Sequence, residues 1–151
     1  MSPTLSPNHD PHDLDRFVRA QEGHYAQALA ELRAGRKRTH WMWFIFPQLD
    51  GLGFSETARW YAIRDLDEAR AYLAHPLLGP RLIDCAEALL AVQGRSAREI
   101  LGTPDDLKLR SCATLFAQVS PGGSIFHRLL EVFFEGVADA RTLALLGSRA
   151  G

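Results

Sequence analysis

The longest unbroken apolar run in the chain is six residues, Trp41-Met42-Trp43-Phe44-Ile45-Phe46, and Pro47 ends it. A membrane-spanning helix needs about 20 such residues, so none is expected. A run this short is either a buried strand or a short buried helix, and periodicity alone does not separate the two. No second strand is evident to pair with it, which favours the helix. Elsewhere apolar residues recur at helical spacing. Across 13–34 they fall at Leu14, Phe17, Val18, Tyr25, Ala28, Leu29 and Leu32, with Gly35 as the stop. Further helices are expected from Ser55 to Ile63, from an Asp67 cap to Ala74, and from Arg81 to Gln93. A Ser96–Glu99 capping box opens a short helix that Gly102 ends. Thr103 and Pro104, as N-cap and first residue, start a helix to Val119, and two more follow over 125–134 and 139–146. The expected fold class is all-α, one compact domain of about seven to nine helices.

With 151 residues, 46% apolar and 23% charged, the chain has the make-up of an ordinary globular domain. Seventeen basic residues against eighteen acidic give a net charge of −1. That argues against nucleic-acid binding through a positive field over the whole surface. Two cysteines, Cys85 and Cys112, exclude a disulfide framework and a four-cysteine zinc site. No metal or cofactor is expected, and nothing in the pattern sets an oligomeric state. Residues 1–12 carry Pro3, Pro7 and Pro11 among small polar residues and read as a disordered leader before a helical domain over 13–147. They lack the basic head and apolar stretch of a signal peptide, so a cytoplasmic location is expected.

Three places break the inside–outside pattern. Gln21 falls on the buried stripe among Leu14, Phe17, Tyr25 and Leu32. A buried amide without partners costs about 1–3 kcal/mol. It reads either as a core glutamine tying two backbones together or, with Tyr25, as part of a binding site. The second place is His40 to Gln48, where Trp41 and Trp43 sit in an apolar run flanked by two polar residues. Aromatic walls edged with polar groups suit a small-molecule pocket; they equally suit the densest part of a core. His40 titrates near neutrality and is able to act as acid or base. The third place is the helix after Pro104. Lys108, Ser111, Thr114 and Gln118 share a face with Leu107 and Leu115, and past Lys108 this face has no Asp, Glu or Arg. A solvated face normally carries more charge, so this side is expected to be at least partly covered, with small polar groups turned inward. Lys108 and Ser111 stand three apart, a spacing open to nucleophile and base but common by accident.

The segment His40-Trp41-Met42-Trp43-Phe44-Ile45-Phe46-Pro47-Gln48-Leu49, followed by Gly51-Leu52-Gly53, resembles the hallmark of the family known as domain of unknown function 1810. Tyr61-Ala62-Ile63, Glu68 to Leu73, His75-Pro76, Leu78 to Leu82, Lys108-Leu109, Ser111 and Thr114-Leu115-Phe116 extend the match over about 14–146. The resemblance implies a mainly helical fold and carries no assigned activity or catalytic residue. More loosely, 97–115 and the ending Gly136, Asp139, Leu146 are similar to helical N-glycosidases acting on ADP-ribose compounds. A matching catalytic acid is missing, so no residue role follows from that likeness.

The leading expectation is a polar-lined pocket for a small anionic or nucleotide-like ligand, built from Gln21, Tyr25, His40, Trp43, Gln48, Arg81, Lys108 and Thr114. Metal-independent hydrolysis or N-glycosidic cleavage there would use His40, Lys108 or Ser111. The alternative is a protein-interaction module presenting the tryptophans with Arg36, Lys37 and Arg38.

Overall fold

A computed structural model describes residues 9–150, with side chains described up to Ser148. Most of the expected leader, residues 1–8, lies outside the described residues. Asp10 takes part in the fold: its carboxylate accepts the Leu14 and Asp15 backbone N–H groups at 2.8 and 2.9 Å.

Ten helices form among the described residues, and no strand does. They are α1 (Asp15–Gln21), α2 (Tyr25–Arg33), α3 (Met42–Ile45), α4 (Glu56–Trp60), α5 (Leu66–Ala74), α6 (Leu78–Ala91), α7 (Ala97–Leu101), α8 (Asp105–Ala117), α9 (Ile125–Phe134) and α10 (Ala140–Ala150). The tenth arises because the expected helix over 13–34 is two. Gly23 takes φ +75°, a conformation an α-helix cannot contain, and the chain turns there. Other boundaries move for local reasons. Asp65, rather than Asp67, caps α5 by accepting the Glu68 N–H at 2.8 Å. The helix expected from Arg81 starts earlier because His75 Nδ1 accepts the Leu77 and Leu78 N–H groups at 3.1 and 3.2 Å. Pro80 then falls in the first turn of α6, where its missing N–H costs nothing. The Ser96–Glu99 capping box forms as expected. Pro104 precedes α8 as its N-cap, with no side-chain cap from Thr103.

The centre of the molecule is α8. It packs against α5, α7, α9 and α10, and every residue from Ser111 to Ala117 is buried. That explains much of the uncharged second face: Ser111, Thr114 and Leu115 are covered, whereas Leu107 and Gln118 at its ends are exposed. The apolar run 41–46 forms the short helix α3, packed on α1. A single parallel bridge, Leu49 with Ile63, ties the chain after α3 to the chain after α4. Through it Ile63 N–H donates to the Gln48 carbonyl at 2.9 Å, and Asp50 N–H to the Ile63 carbonyl at 2.8 Å. Both cysteines are buried, and burial pushes the Cys85 thiol up to about 12 and the Cys112 thiol well above its ordinary value. They are inert packing residues. No helix among the described residues is long and apolar enough to cross a membrane.

Candidate functional site

The residues expected to converge fall into three groups. Gln21 is buried, and its amide is fully employed. Its Nε2 donates to the Phe44 carbonyl at 2.8 Å and to the Tyr72 hydroxyl at 3.3 Å, and its Oε1 accepts from Arg81 at 3.2 Å. The Arg81 guanidinium lies over the Tyr25 ring at 4.6 Å, and the Tyr25 hydroxyl reaches Asp84 at 3.5 Å. Burial first, then the nearby Cys85 and Asp84, pushes the Tyr25 phenol up to about 12. Gln21, Tyr25 and Arg81 thus form an interior tie between α1, α2, α3 and α6. It is the structural reading of Gln21, with one backbone and two side chains as partners.

Trp41 is 1% exposed, and its indole N–H donates to Glu31 at 2.9 Å. Glu31 also accepts from Gln27, from the Arg38 N–H, and from both the N–H and hydroxyl of Thr39. Burial would raise the Glu31 carboxyl; these donors, led by the Arg38 N–H, outweigh it and hold it at about 2. One buried anion therefore holds the turn at Arg38, Thr39 and Trp41. Lys37 lies across the Trp41 ring at 5.2 Å and pairs with Asp105 at 3.0 Å, its side chain only 8% exposed. Trp41 and Lys37 consequently do not present a partner surface. His40 is exposed and does not line the recess described next.

The third group is a recess of about 560 Å³ at the surface. Trp43, Gln48, Lys108 and Ser111 line it, all four named by the sequence. Leu52, Phe54, Leu107, Asp139 and Arg141 join them. The bridge at Leu49 holds Gln48 and leads the following loop around the rim. Gly53 permits the close approach of that loop to α4, since a Cβ there would stand 2.6 Å from the Ala58 Cβ. The Lys108 ammonium sits 4.4 Å from the centre of the Trp43 ring, a cation–π geometry. Its other partner is Asp105 at 3.3 Å, the same carboxylate that pairs with Lys37. One carboxylate shared between two ammonium groups leaves that trio with a net positive charge at the recess. Arg141, bonded to the Gly51 carbonyl at 3.3 Å, adds another, and the Asp139 carboxylate in the same lining offsets one of the two. Ser111 donates to the Leu107 carbonyl at 3.1 Å and keeps its acceptor lone pairs. Thr114 is buried and does not line the recess; its hydroxyl donates to the Arg110 carbonyl and accepts the Asp139 N–H, both at 2.8 Å. Among the described residues, no group of three or more His, Cys, Asp or Glu is placed to hold a metal ion.

Sequence reasoning did not place Asp139 or Arg141 at the site: Asp139 entered only as the start of the last helix and in the loose N-glycosidase likeness, without a role, and Arg141 only as part of that helix. The bonds of Arg141 to the Gly51 carbonyl and of the Asp139 N–H to Thr114 span 90 and 25 positions, too far for periodicity to show. Glu31 was missed as well: a lone glutamate on a helix gives no sign that an indole and three N–H or O–H groups of the next loop will fold onto it.

Fold and recess together define a class: an all-helical domain with a cationic, aromatic-walled hollow beside its central helix. The chain belongs to the family described as Protein of unknown function (DUF1810), whose profile matches residues 11–146. It is similar to the crystal structure of the conserved hypothetical protein Rv1873 from Mycobacterium tuberculosis, with 56% identity and a TM-score of 0.90. That similarity covers 91% of this chain and 99% of the other. No curated protein matches the chain at a significant level.

Proposed function

We propose that this is a cytoplasmic protein that binds a small anionic, nucleotide-like ligand in the Trp43–Lys108 recess. The observation that carries the reading is the Lys37–Asp105–Lys108 arrangement, two cations on one anion, placed against an indole and within reach of solvent. A buried or half-buried cation normally has its own counter-charge. Lys108 shares its counter-charge with Lys37 and faces a hollow that also holds Arg141. The recess volume falls in the range of about 300–1,000 Å³ typical of small-molecule sites. Trp43, Phe54 and Leu107 supply apolar walls, and Gln48 and Ser111 supply neutral polar groups.

Thermal unfolding against a panel of nucleotides and sugar phosphates tests the reading. At about 100 times its dissociation constant, a true ligand stabilises by about 2.7 kcal/mol. That raises Tm by about 5–10 °C for a chain of this size. Lys108→Ala and Arg141→Ala should each remove the shift. No shift with any compound would reject the reading. Should the ligand also be cleaved, by hydrolysis or at an N-glycosidic bond, the proton-transferring group must be one that lines the recess. Lys108 and Ser111 are then the candidates that remain from the sequence, since both line the recess and His40 does not. Release of free base or phosphate that Lys108→Ala abolishes is the expected sign.

A further inference from the structure

Anion binding leaves one recess group unexplained. Asp139 is a carboxylate among cations, and its position is heavily built. From α8, Arg110 donates to the Val137 carbonyl at 2.9 Å and to the Ala138 carbonyl at 3.3 Å. Thr114, also on α8, accepts the Asp139 N–H. The backbone leading to Asp139 is thus clamped from the central helix. Capping α10 employs one carboxylate oxygen: Oδ2 accepts the Thr142 N–H at 2.9 Å and its hydroxyl at 2.6 Å. The other oxygen has no partner among the described residues. Neither recess cation pairs with it, because Lys108 pairs with Asp105 and Arg141 bonds to the Gly51 carbonyl.

Capping alone does not require this charge, since Ser or Asn caps as well as Asp. A bare phosphate would bind better without it, because like charges repel. An ionised carboxylate is an acceptor only, and its strong partners are N–H and O–H donors. Gln48, whose amide also has no partner among the described residues, and Ser111 line the same hollow. We infer that the recess takes a sugar phosphate, free or as the ribose phosphate of a nucleotide. Asp139 accepts a hydrogen bond from a sugar hydroxyl, and Lys108 and Arg141 take the phosphate. This rests on the anion-binding reading above and narrows it to hydroxyl-bearing phosphates.

Isothermal titration of the full chain with ribose 5-phosphate and with phenyl phosphate tests it. The two share a phosphate monoester, and only the first offers aliphatic hydroxyls. The wild type should bind ribose 5-phosphate about tenfold more tightly, the worth of one hydrogen bond to a charged group. Asp139→Asn and Asp139→Ser both keep a capping residue, so the start of α10 survives in each. Both remove a negative charge and so raise the affinity of both compounds together; the ratio between the compounds is therefore the readout. It should fall close to one in both variants. A ratio near one in the wild type, or an unchanged ratio in the variants, overturns the inference. If phenyl phosphate binds in a Lys108-dependent way and the hydroxyls add nothing, this inference falls and the anion-binding reading stands. If neither compound binds, the anion-binding reading falls and takes this one with it.

Discussion

Two kinds of polar region interrupt the apolar interior, and they differ in what they leave unfinished. Around Arg16 and Glu31 every strong valence is closed. Arg16 donates to the Trp60, His12, Asp13 and Ala62 carbonyls and pairs with Glu68 at 2.6 Å, both side chains almost fully buried. Glu31 gathers five hydrogen bonds from a single turn and its neighbours. Around Trp43 the valences stay open. Lys108 shares its counter-charge, and among the described residues neither the Gln48 amide nor one Asp139 oxygen has a partner. A closed network rigidifies a fold. An open one beside a hollow leaves donors and acceptors facing solvent, which is the basis of the binding proposal above. Burial alone does not distinguish the two kinds; counting what each group still lacks does.

The contrast breaks most visibly if the closed region tolerates substitution. Glu68→Ala leaves the Arg16 charge buried and unpaired, so a loss of about 3–5 kcal/mol is expected in urea unfolding. A loss under about 1 kcal/mol would mean that the network relaxes or hydrates, as surface pairs do. Glu31→Gln should cost about 2–3 kcal/mol, because charged acceptors hold their hydrogen bonds about that strongly. Its pH dependence sharpens the point. The Glu31 carboxyl lies at about 2 in the fold against an ordinary 4.5. Its contribution is therefore complete above about pH 4.5 and is lost as pH falls from there towards 2. Unfolding curves of wild type and Glu31→Gln should converge across that window. Gln21→Leu deletes the partner of the Phe44 carbonyl and of Arg81, for about 1–3 kcal/mol. Lys108→Ala should change stability least, within about 1 kcal/mol, the scale of a half-exposed cation–π contact. It should nevertheless remove ligand-induced stabilisation. A large destabilisation by Lys108→Ala would move Lys108 into the closed class.

The helical class and nearly every helix were legible, because apolar spacing and caps act within a few residues. The covered face of α8 was legible too, through the charge it lacks between Ser111 and Gln118. Gln21 was recognisable as anomalous, but its role depended on Tyr72 and Arg81, 51 and 60 positions away. The recess was half legible. Trp43, Gln48, Lys108 and Ser111 stand in segments whose patterns break locally. Asp139 and Arg141 obey local rules as the cap and first turn of a helix, and only tertiary contact gives them a second duty. His40 shows the converse: Trp41 and Met42 directly after it belong to the core, yet the Glu31-bound turn leaves its own side chain outside.

Asp105 touches both regions. An arriving anion that draws Lys108 away from it would strip only one of the two ammonium partners. Lys37 would stay seated on the Trp41 ring, and the turn around Glu31 would keep its shape. Under the anion-binding proposal, Lys108 is the lysine that a guest engages, and the turn around Glu31 stays as it is.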